Sequence, residues 1–146
     1  MSGNRPVGNK KVFTPDQANA TLPLVKVIVE DIRGLAHNLR DRQERLARLD
    51  AGKRGGIADA YREELQQVQS EMERDDEQMR EYLRELMELG VELKDPFSGL
   101  IDFPGRMNGR DVYLCWRLGE PEVAHWHDLD AGFAGRQKLK LPAHSG

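Results

Sequence analysis

Apolar residues recur at alternating steps of three and four along much of the chain. Val25, Ile28, Ile32, Leu35 and Leu39 form one series, which continues through Arg42 to Leu46 and Leu49. A second series runs Tyr61, Leu65, Val68, Met72, Asp75, Met79, Tyr82, Leu86, Leu89 and Leu93. Such steps keep side chains on one stripe of a 3.6-residue helix, so both series predict long amphipathic helices, each with one polar interruption. Gly52-Lys53-Arg54-Gly55-Gly56 stops the first and turns the chain, giving an antiparallel helical hairpin. With the turn centred near residue 54, Asp75 falls opposite Arg33 and Arg42 opposite Gln66. A direct Arg42–Asp75 pair is then not expected within one hairpin, though one between subunits is open.

Upstream, Thr14 as N-cap, Pro15 at the first helical position and Gln17 three residues on form a capping box, with Phe13 as the staple residue. Pro23 lacks an amide donor, so a short first helix that kinks or restarts near Thr21 is expected. Residues 1–11 read as a disordered tail.

Beyond Gly90 and Asp95-Pro96 the period falls to two. "GLIDFPGRMNGRDVYLCWRLGEPEVAHWH" holds short β-rich runs, and Asn108-Gly109 is a strong hairpin signal. Three antiparallel strands follow, at roughly 99–103, 110–118 and 122–128. A two-residue turn at Asn108-Gly109 sets Met107 opposite Arg110, Phe103 opposite Leu114, Asp102 opposite Cys115 and Ile101 opposite Trp116. A second reversal centred on Glu120 sets Trp116 opposite Ala124, Cys115 opposite His125 and Tyr113 opposite His127. Alternation then sorts the sheet into two faces. Ile101, Phe103, Val112, Leu114, Trp116, Leu118, Ala124 and Trp126 share the apolar one. Asp102, Tyr113, Cys115, Arg117, His125 and His127 share the polar one. Both tryptophans therefore read as core, against the hairpin.

The expected fold is α+β: a long, coiled-coil-like antiparallel hairpin over 12–94, then a three-stranded antiparallel β-meander with a C-terminal loop over 95–136. A tail at 137–146 completes a single domain. Composition agrees, since 32% charged against 6% aromatic residues favours long solvated helices. Residues 21–54 carry eight Lys/Arg against five Asp/Glu, and residues 57–93 four against twelve, so the helices have net charges of +3 and −8. Helices of ~35 residues are ~50 Å long and cannot bury every apolar position against one another. A homodimer through the helices is the expected partner, and a further protein partner is open. The net charge of −3 gives no global basic field for nucleic acid. One cysteine excludes an internal disulfide framework. No apolar run approaches a membrane span, so a cytoplasmic location is expected.

Chemistry concentrates on the polar face, where Asp102, Cys115 and His125 lie in one row with Arg117 and His127 a step along. A Cys-His-Asp nucleophile system is one reading, but a flat mid-strand position offers neither a helix N-terminus nor oxyanion donors. Metal ligation by Asp102, Cys115, His125 and His127 is a second, suited to zinc or another transition metal. Cross-strand hydrogen bonding without chemistry is the third and is preferred. His37 reads as a solvated helix residue. "GFAGR" could aim amides and Arg136 at an anion, but is read as a loop packed by Phe133. The candidate binding face is Asp102, Tyr113, Cys115, Arg117, His127 and Arg136.

Through "FTPDQANATLP", "GLIDFP", "VYLCWRLGE", "WH" and "GFAGRQ", the chain resembles a small prokaryotic family catalogued as domain of unknown function two-two-zero-three. The resemblance spans nearly the whole chain and implies no activity. It draws attention to Cys115, Glu120, His127 and Arg136 among others, and it favours His127 over His125, whose position is more usually aromatic in the family. The functional expectation is a non-enzymatic binding, scaffold or regulatory module, with metal binding on the polar sheet face as the alternative.

Overall fold

The computed structural model describes residues 11–52 and 58–140. The residue 1–10 part of the expected N-terminal tail, the turn at 53–57 and the last six residues lie outside that range. Helix α1 is Pro15–Gly52 and helix α2 is Ala58–Glu88. Five strands follow: β1 Glu92–Asp95, β2 Leu100–Met107, β3 Arg110–Arg117, β4 His125–His127 and β5 Gln137–Lys138. They form one antiparallel sheet in the order β1-β2-β3-β4-β5.

The capping box forms as the sequence implies. The Thr14 amide donates to Gln17 Oε1 at 3.0 Å and the Gln17 amide to Thr14 Oγ1 at 3.1 Å. Pro23, however, neither breaks nor restarts α1, which is continuous around it. Proline leaves the carbonyl one turn earlier without its amide partner. Here the side chain of Asn19 anchors that turn instead. Its amide group donates to the Pro15 and Val123 carbonyls, and its oxygen accepts from the Val123 amide at 2.7 Å. Asn19 thus imitates a strand partner and ties α1 to the loop before β4.

Burial along the hairpin follows what covers it. Val25, Ile28, Val29, Ile32 and Ala36 of α1 are buried near the sheet, whereas Leu39, Leu46 and Leu49 are half-buried. Arg42 and Asp75 pair directly within the hairpin, and the Arg42 Nε also donates to Glu71 at 3.1 Å. The expected separation fails because side chains lean towards the N-terminus of their own helix, so in an antiparallel pair Arg42 and Asp75 lean towards the same level and meet.

The sheet has five strands rather than three. Leu93, expected on the second helix, lies in β1 opposite Ile101, because α2 ends at Glu88 and the chain turns at Leu89-Gly90. Gln137 and Lys138, expected in the tail, pair with Trp126 and His125. β2 extends to Met107, and the last long strand contracts to His125–His127, leaving Ala124 outside it. The central register is as expected, with Ile101 opposite Trp116, Asp102 opposite Cys115, Phe103 opposite Leu114 and Met107 opposite Arg110. Asn108 and Gly109 both take positive φ (53° and 78°), as a tight two-residue turn requires. Cys115 faces His125 and Tyr113 faces His127.

The apolar face carries the core. Ile101, Phe103, Val112, Leu114 and Trp116 are buried together with Val25, Val29, Ile32 and Leu86 of the helices, and Trp126 packs at the edge. Phe13 meets Phe103 edge-on at 5.1 Å, and its amide donates to the Pro104 carbonyl at 2.7 Å. That approach explains Gly105, where a Cβ would lie 2.9 Å from Leu114 and 3.2 Å from the Phe13 carbonyl oxygen. His37 is exposed, with Phe97 of the β1–β2 turn edge-on to its ring at 5.4 Å. Among the described residues no helix is long and apolar enough to cross a membrane.

Candidate metal centre

The other face of the sheet is polar but not solvated at its middle. Asp102 on β2, Cys115 on β3 and His127 on β4 are all buried, at 3%, 0% and 2% exposure. One donor atom from each lies within 4.8 Å of the other two. Alternation alone puts these three strands' polar residues on one side, and β3 in the centre brings the outer two within reach. His127 Nε2 stands 3.0 Å from Asp102 Oδ2. His127 lies two residues along β4 from the position facing Cys115, so it reaches Asp102 diagonally across β3, a step that strand twist shortens.

The other ring nitrogen fixes the tautomer. His127 Nδ1 lies 2.7 Å from the Asp128 carbonyl oxygen, which can only accept, so Nδ1 carries the proton. The contact between Nε2 and Oδ2 then needs one further proton between them. Asp102 Oδ1 is buried and has no hydrogen-bond partner among the described residues. Buried polar atoms are paired in the great majority of cases, so an unpartnered carboxylate oxygen beside a thiol and an imidazole marks a place built for something else. Burial foremost, and then the neighbouring charge of Asp102, push the Cys115 thiol up to about 12, with Arg136 acting in the opposite direction.

A cleft of about 260 Å³ lies over this cluster. Lys94, Leu100, Tyr113, Leu129 and Phe133 line it together with the three donors. Tyr113 is half-buried, its ring 5.5 Å from that of His127, and its hydroxyl donates to Glu92 at 3.2 Å. Arg117 is exposed and lies over the Phe133 ring at 4.8 Å. Arg136 flanks the same ring at 4.6 Å and grips Glu120 with two hydrogen bonds of 2.7 and 2.8 Å. Its Nη2 also donates to the Cys115 carbonyl at 3.3 Å. Burial works to raise the Glu120 carboxyl, but the Arg136 guanidinium and the Arg117 amide outweigh it and hold the group below its ordinary value. "GFAGR" is accordingly a packed loop whose arginine is committed to Glu120, and it walls the cleft.

Of the residues singled out from sequence, Asp102, Cys115 and His127 converge. His125 faces Cys115 across the ladder but is outside the trio. Tyr113 stands at the cleft, while Arg117 and Arg136 support the Phe133 loop. Sequence reasoning missed Lys94, because β1 looked like the end of a helix, and the Asp128 carbonyl, because a backbone oxygen carries no residue signature. Glu120, to which the family resemblance drew attention, is the residue that holds Arg136.

The family described as Uncharacterized conserved protein (DUF2203) matches residues 11–139. The chain belongs to this family. The match takes in both helices, the whole sheet and all three residues of the buried cluster, so the candidate centre lies inside the family's own extent. No curated protein and no solved structure matches the chain.

Proposed function

We propose that this member of the DUF2203 family is a metal-binding protein, with zinc or a chemically similar divalent ion held by Asp102, Cys115 and His127. The convergence of three different donors, each buried and one with an unpartnered oxygen, carries this reading. Carboxylate, thiolate and imidazole together suit zinc, whose bonds of about 2.0–2.3 Å at tetrahedral angles require donors roughly 3.3–3.6 Å apart. From separations of 3.0 Å to at most 4.8 Å, the side chains need shift only by about an ångström. His127 already makes the outer contact common to metal-bound histidines, since Nδ1–H donates to a carbonyl, and the ion would take Nε2 by displacing the proton that it shares with Asp102. Metal binding deprotonates the thiol outright, so a Cys115 that is inert alone becomes a ligand.

The same geometry argues against a cysteine nucleophile. Both nitrogens of His127 are engaged, by Asp128 and Asp102, which leaves none to take the thiol proton. Elemental analysis of untagged protein tests the proposal: about one equivalent of transition metal is expected, falling sharply in Cys115→Ala and His127→Ala. Less than about a tenth of an equivalent, with no uptake on reconstitution, would remove it.

Self-association through the hairpin is a second proposal, independent of the first. Leu24, Val27 and Met87 are 55%, 56% and 70% exposed on helices of opposite net charge. Sedimentation equilibrium should show a dimer, and a monomer at micromolar concentration would exclude it.

A further inference from the structure

Three protein donors leave a four-coordinate ion with one open position. Asp102, Cys115 and His127 form the floor of the cleft, so that position faces the open volume above them. The formal charge of a loaded floor is zero: a divalent ion contributes +2, the carboxylate and thiolate −1 each, and the imidazole nothing. The floor therefore presents no repulsion to an incoming anion.

The walls are chemically divided. Leu100, Leu129 and Phe133 provide apolar surface, and Leu129 is 55% exposed. Lys94 supplies a cation. Its ammonium pairs with Glu92 Oε1 at 3.0 Å and stands 5.2 Å from the centre of the Tyr113 ring at the cleft wall. Asp130 stands on the cleft wall as well; like Lys94 it is exposed, so water and salt screen both charges and Lys94 contributes only a modest attraction. At about 260 Å³ the cleft falls below the usual range for drug-sized ligands, roughly 300–1,000 Å³. A head group and a short body fill it.

We propose that the loaded centre takes a small organic carboxylate. One oxygen occupies the open position on the ion, the other faces Lys94, and a short apolar body lies against Leu100, Leu129 and Phe133. This rests on the metal-binding reading above and adds the ligand class to it. No bond is made or broken beyond coordination.

The full chain loaded with cobalt(II) provides the test, because its visible absorption reports the fourth ligand while a thiolate-to-cobalt charge-transfer band reports the Cys115 bond. Acetate, butyrate and acetamide are the probes. Acetate and butyrate should shift the visible bands saturably, butyrate several-fold more tightly because its longer body buries more apolar surface. Acetamide should not. Lys94→Met should weaken carboxylate binding about fivefold with cobalt content unchanged, and Lys94→Arg should retain it. An intact thiolate band with no response to either carboxylate overturns the ligand class and leaves the metal centre standing. Acetamide equal to acetate, or Lys94→Met without effect, overturns it equally. Absence of the thiolate band removes the metal centre and this proposal together.

Discussion

Two of the places where the described residues bring charged groups against apolar surroundings are built differently. On the hairpin, Arg42 meets Asp75 and Glu71 with side chains 27%, 19% and 21% exposed, and every one has a partner. On the sheet, His127 and Asp102 are 3% and 4% exposed, and one carboxylate oxygen has none. The hairpin knot is a polar interruption of a helical seam that water still reaches, and it fixes which turns of α1 and α2 stand level. The sheet cluster is buried at the floor of its cleft and incompletely satisfied. Charges that are wet and paired are ordinary; charges that are dry and short of a partner need an explanation, and a cation is the economical one.

The difference predicts unequal costs. His127→Phe, measured in a chelator by urea denaturation, should lose about 3–5 kcal/mol, because it strands the Asp102 carboxyl in an apolar site. Replacing both residues, as in His127→Phe with Asp102→Leu, should recover much of that loss. If the single variant costs no more than a surface substitution, the buried pair is not what the geometry implies.

Added metal should sharpen the contrast next. At free zinc of a hundred times its Kd, binding to the folded state contributes about 2.7 kcal/mol. The thermal midpoint should rise by a few degrees in the parent chain and stay put in Cys115→Ala. A rise that survives Cys115→Ala would place the ion elsewhere.

How far the sequence revealed these two places depended on the kind of signal. The sheet cluster was nearly legible, because alternation and a two-residue turn at Asn108-Gly109 fix register once one pair is known. Alternation left the diagonal open: the ladder puts His125 beside Cys115 as expected, the family resemblance favoured His127, and the twisted sheet with the Asp128 carbonyl turns His127 onto Asp102. The hairpin knot was misread by neglect of the direction in which side chains lean, because a glycine-rich loop gives no register of its own. β1 and β5 were missed because "ELKD" and "QK" are too short and too polar to alternate. Pro23 failed as a helix breaker because tertiary contacts through Asn19 override local propensity.

On the hairpin the expected effects are small. A double-mutant cycle on Arg42→Met and Asp75→Leu should give a coupling of about 0.5–1 kcal/mol, the range for partly exposed ion pairs. A coupling of several kcal/mol would make the knot as costly as the sheet cluster and erase the distinction between them.

The smallest effect is one of pH. The Arg42 hydrogen bond, acting against partial burial, holds the Glu71 carboxyl below its ordinary value. A carboxyl whose folded pKa lies below its unfolded one contributes stability that is full above the unfolded value and drains away as the pH falls through the folded one. Parent stability should therefore decline on acidification below the ordinary glutamate range by slightly more than that of Arg42→Met, and high salt should shrink the gap, since the pair is open to water. Identical profiles for the two proteins would mean that the knot sets the level of the helices without stabilising them, and that the sheet cluster alone carries charge the fold must answer for.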